Sequence, residues 1–238
     1  MTKDEYFATA ITAFNQWLGG SEVFNTVEVI VNDDYAAMNT VSMRHFSNKT
    51  LIRTCPKYLT ILQDAYGGGD LDITITDVLA LLDAPALQVQ GNGGVKILYP
   101  PDLIEYHVEN DLTIRRLSSA DALAFEHFHS TCTEEERDEG EVSLEDDVAV
   151  GCFDGEKLIS VASYWFWGDV LADIGILTDP AYRGKGIGRA VVCSLCKIGI
   201  EMERINLYRH DYDNHASDKL SAALGFTTIA RESYLSKS

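Results

Sequence analysis

Hydrophobic positions in the second half of the chain follow two periods, about 3.6 residues in helices and about 2 in strands. Between residues 186 and 204, apolar side chains recur at the i, i+4, i+7 spacing of an amphipathic helix. Two further helices are predicted over 118–132 and 214–224. Short apolar runs predict strands at 112–117, 148–153, 157–167, 170–178, 205–209 and 226–234. This alternation predicts an α/β fold with a mixed sheet.

The first half combines helices and a strand with several glycine-rich interruptions. The pattern predicts a strand at 26–31 and helices at 3–18, 56–66 and 76–82, the last of them capped by Thr76. Two apolar runs, 86–90 and 95–99, flank Gly91-Asn92-Gly93-Gly94 and predict a β-hairpin. The first half is therefore expected to be a smaller α+β domain.

A domain boundary is expected where Pro100 and Pro101 interrupt regular structure. This divides the chain into an N-terminal domain over 1–110 and a second domain over 111–238. The N-terminal segment carries no nucleophile, metal or phosphate motif. Its role is therefore left open as structural or substrate-shaping, and the chemistry is expected in the second domain.

The composition is that of a folded protein, with 46% hydrophobic and 24% charged residues among 238. There are 19 basic and 37 acidic side chains, a net charge of −18, which disfavours binding to nucleic acid or an anionic membrane. No apolar run approaches the roughly 18 residues of a membrane span, and the first residues lack a secretory leader pattern. Five scattered cysteines, an odd number, indicate reduced thiols, and we expect a cytoplasmic protein.

The segment from Thr178 to Arg189 joins a predicted strand to the longest predicted helix of the second domain. Three glycines at alternate positions allow the backbone to approach a ligand, and the helix start offers unpaired N–H groups to an anion. Three cations, Arg183, Lys185 and Arg189, lie within the same loop. Neither the Walker phosphate loop nor the dinucleotide fingerprint fits the spacing of these glycines. The loop is therefore predicted to bind a diphosphate.

Two motifs together resemble those of the Gcn5-related N-acetyltransferase (GNAT) family. The first is Arg183-x-x-Gly186-x-Gly188, similar to the family's signature for the pyrophosphate of acetyl-coenzyme A. The second is Asn214-x-x-Ser217-x-x-Leu220 followed by Leu224-Gly225-Phe226. The resemblance covers about 112–238 and implies a GNAT-like three-layer α/β/α domain with a mixed sheet. Some family members carry an N-terminal extension or a degenerate second copy of the fold, which is one interpretation of residues 1–110.

The resemblance also implies a set of residues that bind acetyl-coenzyme A as co-substrate, without a metal. The backbone at the end of the central strand is expected to bond the pantetheine and the thioester, and Asn214 is expected to contact the pantetheine arm. The residues of the strand end are Ile176, Leu177 and Thr178. Those expected to hold the pyrophosphate are Arg183, Gly184, Lys185, Gly186, Ile187, Gly188 and Arg189.

The reaction that the resemblance implies is direct attack of an amine on the acetyl thioester. Deprotonating an alkyl ammonium at pH 7 costs about 4.6 kcal/mol, so a base is needed. Asp173 resembles the strand glutamate that some members use; Glu145, Asp146 or a water chain are alternatives. The tyrosine that often protonates the leaving thiolate is replaced by Ser221, whose hydroxyl is a poor acid. The thiolate then leaves unaided, or another group such as Tyr212 or His210 protonates it.

A strongly acidic run from Glu134 to Asp147 contains nine acids and one arginine and is predicted as loop or short helix. It is either a solvated segment that aids solubility or one wall of a groove for a cationic acceptor. The second interpretation predicts a small-molecule amine or a Lys-bearing peptide as acceptor. An alternative function is a coenzyme A-binding regulatory or structural module with weak or no turnover, which Ser221 would explain. A homodimer is one option for the assembly of the chain.

Overall fold

The computed structural model describes residues 1–108 and 111–237. The described helices are α1 (Lys3–Trp17), α2 (Leu59–Tyr66), α3 (Ile75–Leu82), α4 (Ala122–His129), α5 (Glu134–Gly140), α6 (Ile187–Glu201) and α7 (His215–Leu224). The described strands are β1 (Thr26–Val31), β2 (Val41–Phe46), β3 (Lys49–Thr54), β4 (Leu87–Ile97), β5 (Leu112–Arg116), β6 (Val148–Asp154), β7 (Lys157–Trp167), β8 (Leu171–Thr178), β9 (Ile205–Asp211) and β10 (Thr227–Lys237). Among these helices, none has the length and apolar character needed to cross a membrane.

The chain divides into two compact units. The first unit comprises residues 1–96, 209–214 and the chain from 228 onward, and the second comprises 97–208 and 215–227. The division therefore differs from the predicted boundary near residue 110, because two later segments group with the N-terminal half. The physical reason for the last segment is strand pairing. β10 pairs antiparallel with β2 and so satisfies the backbone N–H and C=O groups along that strand.

The second unit is built of three layers. Its strands lie in the order β9-β8-β7-β6-β5, with β8 parallel to β9 and the other neighbours antiparallel. On one face of this sheet, Val150 and Ile174 pack with buried side chains of α6 and α7. On the other face, Val161 and Leu177 pack with Phe128 of α4. This arrangement confirms the predicted three-layer α/β/α fold with a mixed sheet.

The first unit is an α+β structure with helices on both faces of its sheet. β1 runs parallel to β3, which is antiparallel to β2. Met43 and Ile52 pack with Leu62 of α2 and other apolar side chains on one face. On the other face, the ring of Phe14 in α1 lies 5.9 Å from the ring of Phe46. The predicted α+β character of the N-terminal half is therefore confirmed.

The glycine-rich segment 91–94 does not form the predicted hairpin, because it lies inside one continuous strand, β4. The N–H of Tyr212 donates to the carbonyl of Asn92 at 2.9 Å. A Cβ atom on Gly93 would come within 2.6 Å of the carbonyl oxygen of His210. The small residues therefore allow a second backbone segment to approach closely, whereas their clustering had indicated a turn.

Two further local differences concern the first unit. β2 and β3 form an antiparallel hairpin that the sequence pattern did not predict, since polar and charged side chains interrupt the apolar alternation there. Thr74, rather than the predicted Thr76, caps α3. Its hydroxyl accepts from the N–H of Asp77 at 3.2 Å, and the Asp77 carboxylate accepts from the N–H of Thr74 at 2.9 Å. This reciprocal capping box fixes the start of the helix.

Candidate functional site

The loop between β8 and α6 is fixed at its start by Asp179. This buried carboxylate accepts a hydrogen bond from the N–H of Ala181 at 2.9 Å and forms an ion pair of 2.8 Å with Lys157. Burial alone would raise the pKa of Asp179, but the bonds from Lys157 and Ala181 outweigh it and lower that pKa. A short 3-10 turn, Pro180–Tyr182, follows. The direction in which the chain leaves β8 is therefore set by a charged, buried anchor.

Two glycines set the path of the loop into α6. Gly184 and Gly186 have φ values of +75° and +77°, a backbone conformation that is strained for residues with a side chain. The helix α6 begins immediately afterwards, at Ile187. A Cβ atom on Gly186 would collide with the hydroxyl of Tyr106, which lies against this glycine. The first N–H groups of α6 have no carbonyl partner within the helix and point out of its N-terminus. This arrangement suits an anion.

The three cations of the loop make different contacts. Arg183 donates from Nε to the carbonyl of Thr178 at 3.0 Å. Arg189 donates from Nη2 to the carbonyl of Ala223 at 2.7 Å, and its guanidinium lies 4.2 Å from the centre of the Tyr106 ring. Lys185 is exposed and its ammonium donates to the carbonyl of Ala181 at 3.1 Å. The two arginines thus stabilise the loop and the neighbouring helices, and Lys185 presents its charge at the surface.

Arg183 also joins the loop to the acidic helix α5. Its Nη1 atom lies 2.6 Å from Oε1 of Glu136, whose other oxygen accepts from the N–H of Thr133 at 2.9 Å. The hydrogen bonds from Arg183 and Thr133 lower the pKa of Glu136 to about 2. One member of the acidic run is therefore engaged by the loop itself, so it is not available to an acceptor.

The Glu136–Arg183 pair should make a pH-dependent contribution to stability. Because the folded pKa of Glu136 is about 2 and its ordinary value is 4.5, the contribution is complete above about pH 5 and is lost as the pH falls toward 2. We expect Glu136→Gln to lower the free energy of unfolding at pH 7, and the difference from wild type to shrink at pH 3. Urea unfolding at pH 7, 5 and 3 measures it, with the exposed Glu135→Gln as control. A Glu136→Gln deficit that is constant with pH would contradict the assignment.

The central strand β8 separates from β9 where the site begins. The two strands pair only at Leu171–Asp173 in the described chain, although β8 continues to Thr178. The C-terminal end of α5 packs closely on this part of β8. A Cβ on Gly140 would lie 3.0 Å from the carbonyl oxygen of Ile176, and one on Gly175 would collide with the carbonyl of Glu141. These two glycines let α5 lie directly against the strand end.

Two carboxylates lie on the face of the second unit's sheet that α4 and α5 cover. Asp173 is 7% exposed and stands opposite Trp165 in the register of β7 and β8. Asp146 accepts hydrogen bonds from the hydroxyl of Ser163 and from the N–H of Ser143. Burial raises the pKa of Asp146, and the negative charges of Asp147 and Glu145 raise it further. Together they outweigh these two hydrogen bonds, which lower the pKa. The two acids therefore share one sheet face, and Asp146 holds a proton more readily than an ordinary aspartate.

The remaining predicted residues are distributed over the two units. Ser221 is fully buried in α7, and its hydroxyl donates to the carbonyl of Asp218 at 3.0 Å. Tyr212 and Asn214 belong to the first unit, with Asn214 directly preceding α7. Burial raises the pKa of Tyr212. Within the second unit, the glycine loop follows the end of β8 directly, and Asp173 lies on the same strand five positions before Thr178.

Sequence reasoning missed two residues at the loop, Tyr106 and Glu136. Tyr106 lines a cavity of about 540 Å³ together with Tyr182, Lys185 and Ile187. No local pattern could have indicated this, since Tyr106 precedes the loop by about 80 residues. For Glu136 the pattern Thr133-x-x-Glu136 is that of a capping box, which indicates the start of α5 but not the contact with Arg183. Among the described residues, no cluster of His, Cys, Asp and Glu could hold a metal ion.

The fold and the loop together define an α/β protein in which two glycines at positive φ lead into a helix N-terminus after a central strand that separates from its neighbour. Residues 114–226 match the model described as "Acetyltransferase (GNAT) family". This match confirms the resemblance over these residues, and the family that it names is one of acetyltransferases. Comparison with curated proteins gave no match.

Solved structures show the same fold. A GNAT-family acetyltransferase from Colwellia psychrerythraea aligns with a TM-score of 0.54 and 18% identity, over 79% of this chain and 76% of that one. A GCN5-related N-acetyltransferase from Kribbella flavida aligns with a TM-score of 0.52 and 16% identity. The alignment covers 67% of this chain and 63% of that one, so this chain spans less than two thirds of that protein. A GCN5-related N-acetyltransferase-like protein from Streptococcus suis aligns with a TM-score of 0.50 and 16% identity, over 98% of this chain and 99% of that one. At these identities the likeness concerns the fold alone.

Proposed function

We propose that this protein transfers an acetyl group from acetyl-coenzyme A to a primary amine. The observation that carries the proposal is the start of α6, where Gly184 and Gly186 at positive φ lead into a helix N-terminus beside the end of β8. Such N–H groups and the helix dipole favour a diphosphate. The lack of a side chain at Gly184, where no atom lies within 4 Å of an ideal Cβ, leaves room for the backbone of loop 183–189 to reach it. The thioester then lies toward Ile176–Thr178, where β8 has no β9 partner in the described chain.

The reaction needs a proton acceptor and a leaving group. The amine nitrogen attacks the thioester carbonyl, a C–N bond forms, the C–S bond breaks, and the sulfur leaves as thiolate with its electron pair. Asp173 takes one proton from the ammonium before the attack, directly or through water, and Asp146 is the alternative on the same sheet face. The second proton leaves the nitrogen as the amide forms and passes to water. The thiolate, with a pKa of about 8.5, leaves unaided, since the Ser221 hydroxyl is bound to a helix carbonyl.

The acceptor in this proposal is cationic, either a small amine or a Lys-bearing peptide. Glu136 of the acidic run cannot serve it, because its carboxylate binds Arg183. The N–H of Phe166 likewise engages Asp147, at 3.0 Å. The support comes from the side chains of α5 that remain exposed, namely Glu134, Glu135, Asp138 and Glu139. They give one helix beside β8 a concentrated negative charge that attracts a cation.

The second candidate is a module that binds coenzyme A without turnover. One observation favours it: the position of the family's tyrosine is held by Ser221, a buried residue whose hydroxyl proton is committed to the carbonyl of Asp218. Both candidates predict that acetyl-coenzyme A raises the melting temperature. They differ in whether coenzyme A thiol appears when an amine is supplied.

The test is an amine panel with acetyl-coenzyme A, read out as released coenzyme A thiol. Spermidine, an aminoglycoside, a Lys-rich peptide and a neutral hydroxylamine cover the acceptor classes. We expect turnover with a cationic amine, and about a threefold higher acceptor KM at low salt for Glu134→Gln/Glu135→Gln. Asp33→Asn/Asp34→Asn, exposed and in the first unit, makes the same charge change and should leave the KM unaltered. Stabilisation by acetyl-coenzyme A without thiol release from any amine would favour the module. Equal KM values for both variants would contradict a role of α5.

A further inference from the structure

A polar cluster occupies one face of the sheet in the first unit. The register places Arg53, Ser42 and Tyr234 side by side across β3, β2 and β10. In the next row along the strands, Arg44 stands between Leu51 and Glu232. Directly opposite residues on neighbouring strands share a face, so both arginines point to the same side of the sheet. This is the side where α1 packs against Phe46.

Arg44 is 5% exposed and only partly paired. Its Nε atom lies 2.9 Å from Oε1 of Glu232, and Nη2 donates to the hydroxyl of Tyr234. The Tyr234 hydroxyl donates in turn to Oε2 of Glu232 at 3.0 Å. Among the described residues, Nη1 of Arg44 is buried and has no hydrogen-bond acceptor. A buried donor that has exchanged water for no acceptor is unfavourable, so a ligand that accepts from it is favoured.

Arg53 supplies a second guanidinium with unused donors. Its Nη1 atom lies 3.5 Å from the hydroxyl of Tyr35, and its Nε is buried with no acceptor in the described part of the chain. The Tyr35 hydroxyl lies 3.0 Å from that of Ser42. Two guanidinium groups on adjacent strands, with hydroxyls between them, therefore offer donors that the protein itself does not use.

The charges of the cluster leave one positive charge unmatched. Arg44 is neutralised by Glu232, whereas Arg53 forms no ion pair with an acid among the described residues. Two further charges lie nearby. The positive charge of Arg209 acts to lower the pKa of Tyr234. The pKa of Asp211 is raised by burial and by the charges of Asp213 and Glu232. Arg209 and Asp211 offset one another, so the net charge at the two arginines is about +1.

We propose that the first unit binds a small monoanionic carboxylate between Arg44 and Arg53. The planar guanidinium fork matches a carboxylate in geometry, and the hydroxyls of Tyr35 and Ser42 complete its hydrogen bonds. A carboxylate neutralises the single unmatched charge, whereas a phosphate dianion would leave a negative charge beside Glu232. This ligand site lies entirely in the first unit and is independent of the acetyl transfer proposed above.

The experiment uses the full chain without acetyl-coenzyme A. Sodium acetate is titrated against sodium chloride at constant ionic strength, and the melting temperature is recorded. We expect a saturable rise with acetate, half-complete at a millimolar concentration. Arg53→Gln should raise the half-saturating acetate concentration at least tenfold. Arg53→Lys keeps the positive charge but loses the paired N–H donors of the guanidinium, so it should give an intermediate concentration. Arg231→Gln is the matched control, because Arg231 is exposed on β10 and pairs with His45 rather than with the cluster.

Three results would overturn the proposal. An equal rise with chloride, or no rise, would mean that water alone satisfies the buried donors. An unchanged titration in Arg53→Gln would place acetate elsewhere. Tighter binding of inorganic phosphate than of acetate would contradict the monoanion assignment. If Arg53→Gln fails to fold, Tyr35→Phe removes one hydroxyl of the site and should weaken acetate binding several-fold, with no change as the contradicting result.

Discussion

Gly186→Glu is expected to weaken acetyl-coenzyme A binding at least 100-fold, which corresponds to about 2.7 kcal/mol. Gly186 has a φ of +77°, where a side chain is strained, and a Cβ atom there would collide with the hydroxyl of Tyr106. The added carboxylate also places a negative charge at the start of α6, where the diphosphate is proposed to bind, and the two negative charges repel each other. Isothermal titration of acetyl-coenzyme A into the folded variant measures the loss.

The control for this variant must carry the same backbone strain elsewhere. Gly155 has a φ of +59° in the turn between β6 and β7, and no atom lies within 4 Å of its ideal Cβ. Gly155→Glu should therefore lose stability through strain, yet bind acetyl-coenzyme A like the wild type. If Gly186→Glu binds as tightly as Gly155→Glu, the loop does not hold the diphosphate.

Asp173→Asn is expected to lower kcat by about 10²- to 10⁴-fold, the range for removal of a general base. Asp173 is buried on the sheet face covered by α4 and α5, next to the point where β8 and β9 separate. Asparagine has nearly the same shape but cannot accept the ammonium proton at neutral pH. We therefore expect the dissociation constant of acetyl-coenzyme A to remain unchanged, and steady-state kinetics on the best amine measures kcat.

The comparison variant is Asp146→Asn, on the same sheet face. Asp146 has a raised pKa because it is half-buried among acids, and its carboxylate binds Ser163. If Asp173 is the base, Asp146→Asn retains most of kcat and the acidic limb of the pH profile. Loss of that limb in Asp146→Asn, with Asp173→Asn active, would assign the base to Asp146 and refute the account of Asp173.

Much of the second unit could be predicted from the sequence because its signals are local. The start of α6 lies within one residue of the prediction, since alternate glycines and the apolar face of the helix are both encoded within about twenty residues. The strand order could be anticipated only through the resemblance to a known family. The individual strands β6, β7 and β8 carry mostly apolar runs that mark them clearly.

The parts that could not be predicted depend on partners distant in the sequence. Arg183 and Glu136 are 47 positions apart, so nothing local indicates that the loop engages α5. The pairing of β10 with β2 joins segments about 190 positions apart and places the C-terminus in the first unit. Similarly, the glycines at 91–94 indicate a turn until the segment that packs against them is known. A strand's periodicity predicts that it is a strand, not which strand it joins.

The most direct test is a crystal structure of the protein with acetyl-coenzyme A bound. We expect diphosphate oxygens within hydrogen-bond distance of backbone N–H groups in loop 183–189. We also expect the thioester beside Ile176–Thr178. A nucleotide lodged at any other surface, with this loop making no contact to phosphate, would contradict the account.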